Sequence, residues 1–238
     1  MSDKKFIFAG GNARSGTTAL SQALNSHPDI FMLVEQNMKE MKNQTLNHDH
    51  FTKEAMSLSE SDLPRQFARY GDVAADRWDQ AKYVGDKVPN FASSFDSLDE
   101  TFPDAKMVFI VRNPFVVAAS YDRLQKAGQW QRDVAAAVRQ WNKNVRLALK
   151  RKKEGKSLVV VPYEQLYLSR ENIDKLYIAL GLDPSLAIEE RLKRVLENGQ
   201  RILSKELTFD ESMPQFVAMN IAVAAYRELL TDHSILND

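Results

Sequence analysis

The 238 residues carry 32 Lys plus Arg against 32 Asp plus Glu, a formal net charge of zero, which removes the broad basic footprint of a nucleic-acid binder. With no cysteine there is no disulfide framework, no thiolate zinc site and no cysteine nucleophile, and His27, His48, His50 and His233 lack HExxH spacing, so no metal is expected. The length suits one domain over residues 1–238, and no apolar run reaches the length of a signal peptide or a transmembrane segment, so the expected compartment is cytoplasmic.

In chain order, Phe6-Ile7-Phe8-Ala9 is a short run of strand formers, followed at once by glycines and then by Thr17 to Leu24, which has helical character. Residues 36–82 are polar and helix-prone with few strand signals, which predicts a helical insertion after the first βα unit, between the first and second sheet strands. Phe31, Met32, Met38, Met41, Phe51 and Met56 either line an apolar pocket there or pack the insertion onto the sheet, and packing is the expectation. A second strand is Lys106 to Val111, with a turn at Asn113-Pro114 and a helix over Val116 to Gln125. Lys143 to Lys156 is strongly basic and is expected to be a solvated helix end stopped by Gly155. Leu158 to Val161 is a third buried strand, and after Pro184 the chain turns helical, over Ser185 to Glu197 and Pro214 to Leu230, joined by the polar segment Asn198 to Met213. Continuous apolar strands alternating with helices predict an α/β fold, a parallel sheet with helices on both faces and a helical C-terminus.

Gly11 to Thr18 reads GNARSGTT, which satisfies the glycine spacing of a phosphate-binding P-loop but has Thr17 where an NTPase places its lysine. A loop between a strand and a helix aims backbone N–H groups and the positive end of the helix dipole at one spot, and Arg14 adds a bidentate cation. Without the lysine, and without an acidic strand for magnesium, a ligand lacking a γ-phosphate fits better than ATP. Arg112, between a buried strand and a small-residue helix, is a second anion-binding candidate rather than a surface salt-bridge residue. In a parallel sheet both arginines fall at carboxyl ends of strands, so one ligand can bridge them.

At these residues the chain resembles the PAPS-dependent sulfotransferases, in particular the bacterial and tyrosylprotein-sulfotransferase-like branch. The segments that carry the resemblance are NARSGTT, YVGDKVPNF, FIVRNPFVVAASYDR and VVVPYEQLYLSRENIDKLYIALGL, which span most of residues 6–182. The resemblance implies a donor, 3′-phosphoadenosine-5′-phosphosulfate (PAPS), and a product, adenosine 3′,5′-bisphosphate (PAP). It places Arg14, Ser15, Gly16, Thr17 and Thr18 on the 5′-phosphosulfate, Arg112 and Ser120 on the 3′-phosphate, and Lys87 on the leaving phosphate, with Asp86 as its orienting partner. Arg123 is a weaker addition, and Ser120 equally suits a helix-packing position. Glu35, after the His27-Pro28 turn, is the implied base, with His27 as its rival. Tyr163 resembles a nucleotide contact, Glu164 suits a cap of the next helix, and Ser204 and Lys205 stand where late donor contacts occur. The family's donor loop RKGxxGDWK is absent. The implied acceptor is a hydroxyl or amine of a small molecule, glycan or lipid, with residues 36–82 as its cap. The alternatives are a P-loop small-molecule or nucleoside kinase and a non-catalytic nucleotide-binding scaffold.

Overall fold

A computed structural model describes residues 4–56, 74–205 and 212–236. Five strands, β1 (Lys5–Gly11), β2 (Ile30–Val34), β3 (Tyr83–Lys87), β4 (Lys106–Val111) and β5 (Val159–Pro162), form one parallel sheet in the order β2-β3-β1-β4-β5. Successive side chains of a strand point to opposite faces, and here both faces are apolar. Phe8, Met107, Phe109 and Val111 enter one buried cluster, while Ile7, Ala9, Val108 and Ile110 enter another. That double burial is why these strands read as unbroken hydrophobic runs.

The helices sort to the two faces. Against the Ile7 face lie α1 (Thr17–Asn25), α8 (Tyr163–Leu166), α9 (Arg170–Ala179) and α10 (Glu189–Leu203), through residues such as Leu20, Leu166, Ile173 and Leu192. The Phe8 face is covered by α2 (Met38–Asn43), α3 (Lys53–Met56), α5 (Phe95–Thr101), α6 (Pro114–Lys126), α7 (Val134–Lys153) and α12 (Val223–His233). The short α4 (Ala74–Gln80) leads into β3, and α11 (Ser212–Asn220) packs on α6 through Val217, Met213 and Ala118. Among the described residues no helix is long and apolar enough to cross a membrane.

Two strands differ from the sequence expectation. β2 is the run IFMLV, and β3 lies inside the segment YVGDKVPNF, which shows no strand periodicity. All five residues of β3 are buried, yet its polar end is satisfied by hydrogen bonds and an ion pair that hydropathy does not register. The described helices of the 36–82 segment therefore follow β2 and precede β3; residues 57–73 of that segment lie outside the described residues. Phe31, Met32, Met41, Phe51 and Met56 are core residues, and only Met38 of that set is exposed.

Two further boundaries moved. Pro184–Leu186 is a separate 3₁₀ turn, so α10 starts later than expected and runs to Leu203. The last helix is broken in two where the Asn142 side chain donates to Asn220 O (2.8 Å) and accepts from Ala222 N (2.7 Å). Residues 206–211 of the joining segment lie outside the described residues.

The strand order sets the place of the site. From β1 the chain crosses to β2 and β3 on one side, then jumps over β1 to β4 and β5 on the other, which opens a crevice at the carboxyl ends of β3, β1 and β4. Every sequence motif with chemistry in it, except Ser204 and Lys205, follows or ends one of these strands.

Candidate active site

The loop from Asn12 to Gly16 joins β1 to α1. Ser15 N donates to Asn12 O (3.0 Å), and the turn requires positive φ at Arg14 (70°) and Gly16 (87°). Gly16 is needed twice over: a Cβ there would lie 2.3 Å from the Tyr163 ring, and the left-handed backbone is strained for any other residue. Helix α1 has no side-chain N-cap and no acid in its first turn, so its leading N–H groups are open to an anion. Ser15 and Thr17 are buried within the loop, and Thr18 faces out.

Three arginines meet at this loop. Arg14 Nε donates to Ser120 Oγ (3.0 Å), and Arg112 Nη1 donates to Arg14 O (3.3 Å), so the β1 loop and the start of α6 touch directly. Partial burial, then the Arg123 and Arg112 charges, push the Arg14 guanidinium below its ordinary value. Arg112 is also lowered, chiefly by burial; it stacks 4.0 Å above the Tyr163 ring, and its Nε is buried with no partner. None of the three forms an ion pair among the described residues. Like charges crowded together without an ion-pair partner suit an anion carrying more than one charge.

On the other side of β1, the carboxylate of Glu35 accepts from Lys87 Nζ at 2.5 Å. The Lys87 side chain is wholly buried, whereas that of Glu35 is 40% exposed, so the pair puts a reachable carboxylate over a hidden cation. Lys87 is thus the last residue of a buried strand rather than a loop lysine.

A model of the sulfotransferase family matches residues 7–185. The chain belongs to the sulfotransferase family. Solved structures agree on the fold. The sulfotransferase domain from the curacin biosynthetic pathway superposes with a TM-score of 0.56 at 18% identity, over 91% of this chain and 96% of that one. A sulfotransferase from Alicyclobacillus acidocaldarius gives 0.55 at 16% identity, over 97% and 96%. Mouse sulfotransferase SULT7A1 complexed with PAP gives 0.51 at 13% identity, over 98% and 85%. No curated protein matches the sequence significantly.

In this sulfotransferase Asp86 contacts the Glu35 loop and not the Lys87 amine: its two carboxylate oxygens accept from Glu35 N (2.8 Å) and Asn37 N (2.7 Å). Glu35 itself sits before α2 at φ 62°, not at a helix start. His27 is withdrawn from the site. Its Nδ1 accepts from Asp29 N (3.1 Å), which leaves Nε2 to donate to Asp183 O (2.9 Å), and the ring is buried edge-on to Tyr177. Tyr163 is almost fully buried between Gly16 and Arg112, so its ring touches both the β1 loop and the residue that follows β4. Glu164 does not cap the next helix, whose N-cap is Pro162; its Oε1 accepts from Asn113 N (2.9 Å) and so fixes the turn behind Arg112. Ser204 and Lys205 are exposed at the end of α10; Ser204 Oγ donates to Arg201 O, and among the described residues no bond joins either to the loop.

Sequence reasoning missed the asparagine link beneath the loop. Asn144 of α7 is fully buried and donates to Asn12 Oδ1 (3.0 Å) and Asn90 Oδ1 (2.7 Å), while Asn90 N donates to Gly11 O (2.7 Å). The basic run hides this residue, but Asn144, Val145, Ala148 and Arg151 are all buried and share a helical stripe, which spacing alone could have revealed. Arg151 also departs from the solvated-end expectation: it is buried and forms a bidentate pair with Asp99 (2.8 and 2.8 Å).

Proposed function

We propose that this sulfotransferase takes its sulfuryl group from PAPS and transfers it to a hydroxyl or amine of a small-molecule, glycan or lipid acceptor, with Glu35 as the general base. The observation that carries this reading is the pair of anion sites at Arg14 and Arg112, side by side and unpaired, next to the Glu35–Lys87 pair. A nucleotide with phosphates at both ends fits them: the open N–H groups of α1 suit one phosphate, and the buried Arg112 Nε with Ser120 suits the other. The mouse relative solved with PAP supports the same donor class.

When bound, the donor supplies an SO₃ unit that passes in line to the acceptor oxygen or nitrogen, and PAP departs. Arg14 with the Ser15–Thr18 backbone holds the 5′ end, and Arg112 with Ser120 holds the 3′-phosphate. Glu35 takes the proton that the acceptor gives up. Lys87 stabilises the negative charge that grows on the leaving phosphate, a role that requires its Nζ to leave the Glu35 carboxylate. The exchange also frees that carboxylate to accept the proton. In this reading the helices that follow Glu35, between Met38 and Met56, cap the acceptor side.

The test is isothermal titration with PAP together with a PAPS turnover assay over alcohol, phenol and amine acceptors. PAP binding weakened by roughly 10- to 150-fold in Arg112→Ala, with turnover lost in Glu35→Gln while PAP still binds, is the expected result. ATP- and magnesium-dependent phosphoryl transfer would overturn the reading in favour of a kinase.

A further inference from the structure

The structure assigns Asp86 the task of positioning Glu35 for proton transfer, an inference that rests on the reading of Glu35 as the base. Glu35 holds a left-handed backbone at φ 62°, a conformation disfavoured for a residue with a Cβ. Something must fix it there. Its N–H donates to Lys87 O (2.9 Å) and to Asp86 Oδ1 (2.8 Å), and Asp86 Oδ2 accepts from Asn37 N (2.7 Å). One carboxylate therefore staples both N–H groups that flank the turn, each oxygen taking one.

The placement of Asp86 is costly enough to need a reason. It is fully buried near the end of β3, with Phe8 of β1 and Leu33 of β2 as its strand neighbours, and burial lifts its carboxyl to about 7 against the opposing pull of the Asn37 and Glu35 backbone donors, the Lys87 charge and, least, the Lys87 backbone N–H. Lys87 Nζ, the nearest cation, is bonded to Glu35 and not to Asp86. An apolar residue would fill the space at lower desolvation cost. What only a carboxylate offers here is two acceptors for two backbone donors. Asparagine keeps the shape but offers one acceptor, and its NH₂ would face the second N–H.

The experiment is a double-mutant cycle with Asp86→Asn, Glu35→Gln and the double variant, read as PAP released from PAPS with 2-naphthol as the acceptor probe, alongside calorimetric PAP binding. Asp86→Asn is expected to lower kcat by roughly 10- to 100-fold through misplacement of the base. PAP affinity is expected to stay within about twofold, because the arginine site is held by other residues. The double variant should turn over within about twofold of Glu35→Gln alone, since a residue that acts through Glu35 has nothing left to position. Wild-type kcat in Asp86→Asn, loss of PAP binding in the same variant, or a double variant whose losses multiply would each overturn the assignment. Full turnover in Glu35→Gln strikes the base reading itself, is seen without any change at Asp86, and takes the positioning role down with it.

Discussion

The two sides of the crevice are built in opposite ways. On the β4 side, Arg14, Arg112 and Arg123 crowd together with no ion pair among the described residues, the carboxylate of Glu164 being engaged by Asn113 N, and Arg112 leaves a buried N–H unpartnered. On the β2–β3 side the charges at the strand ends are answered within the protein: Lys87 by Glu35, and the Asp86 carboxylate by the Glu35 and Asn37 backbone donors. Under the proposed function, affinity for a doubly phosphorylated nucleotide is assigned to the arginines and turnover to the pair across β1, so the two functions should separate under mutation.

The largest expected effect lies on the paired side. Glu35→Gln should cut kcat by about 10²–10⁴-fold, the usual span for removing a general base, with PAP binding within about twofold of wild type. Steady-state turnover and calorimetry on the same preparation check both halves; a parallel loss of PAP affinity would erase the separation. On the arginine side, Arg112→Ala should weaken PAP binding by about 1.5–3 kcal/mol, the range for hydrogen bonds to charged groups. The same variant probes the Tyr163 stack, since the ring loses its cation.

Gly16→Ala attacks the support under the arginines. Its left-handed backbone and the Tyr163 ring against it predict a loss of about 1–3 kcal/mol of stability, measurable by denaturant unfolding, and weaker PAP binding with it. The last effect concerns pH and is read as a slope. Because burial raises Asp86 from its ordinary carboxyl range to about 7, the folded state binds this proton more tightly than the unfolded chain. The associated stability is complete below about 4, where the unfolded carboxyl titrates, and is lost as pH rises through about 7. Unfolding measured across that window should therefore slope downward with pH in the wild type and flatten in Asp86→Asn. An unchanged slope would mean that Asp86 does not stand in the buried environment that separates the paired side from the arginine side.

The same contrast decides what could be read from the sequence. β1, β4 and β5 announce themselves because both faces are apolar, and the β1 loop does so because only glycine suits Gly16. Arg112 was legible for the same reason, since it leaves a buried strand into an Asn-Pro turn. The paired side was harder to see. β3 ends in Gly-Asp-Lys, and its burial depends on partners 49 to 52 positions away in the chain, so no strand pattern marked Lys87, and Asp86 read as its orienter. Asn144 was hidden by the charges around it, although its stripe was present. Patterns of hydropathy record which side of an element is dry; they do not record which polar groups find one another there.

The most direct test of the two-sided account is a crystal structure of the protein with PAP. The account predicts the 5′-phosphate on the Arg14–Thr18 loop, the 3′-phosphate on Arg112 and Ser120, and the Glu35 carboxylate facing the open space beside the 5′-phosphate. Bisphosphate bound away from Arg14 and Arg112, or a Glu35 carboxylate turned away from the 5′-phosphate, would contradict it.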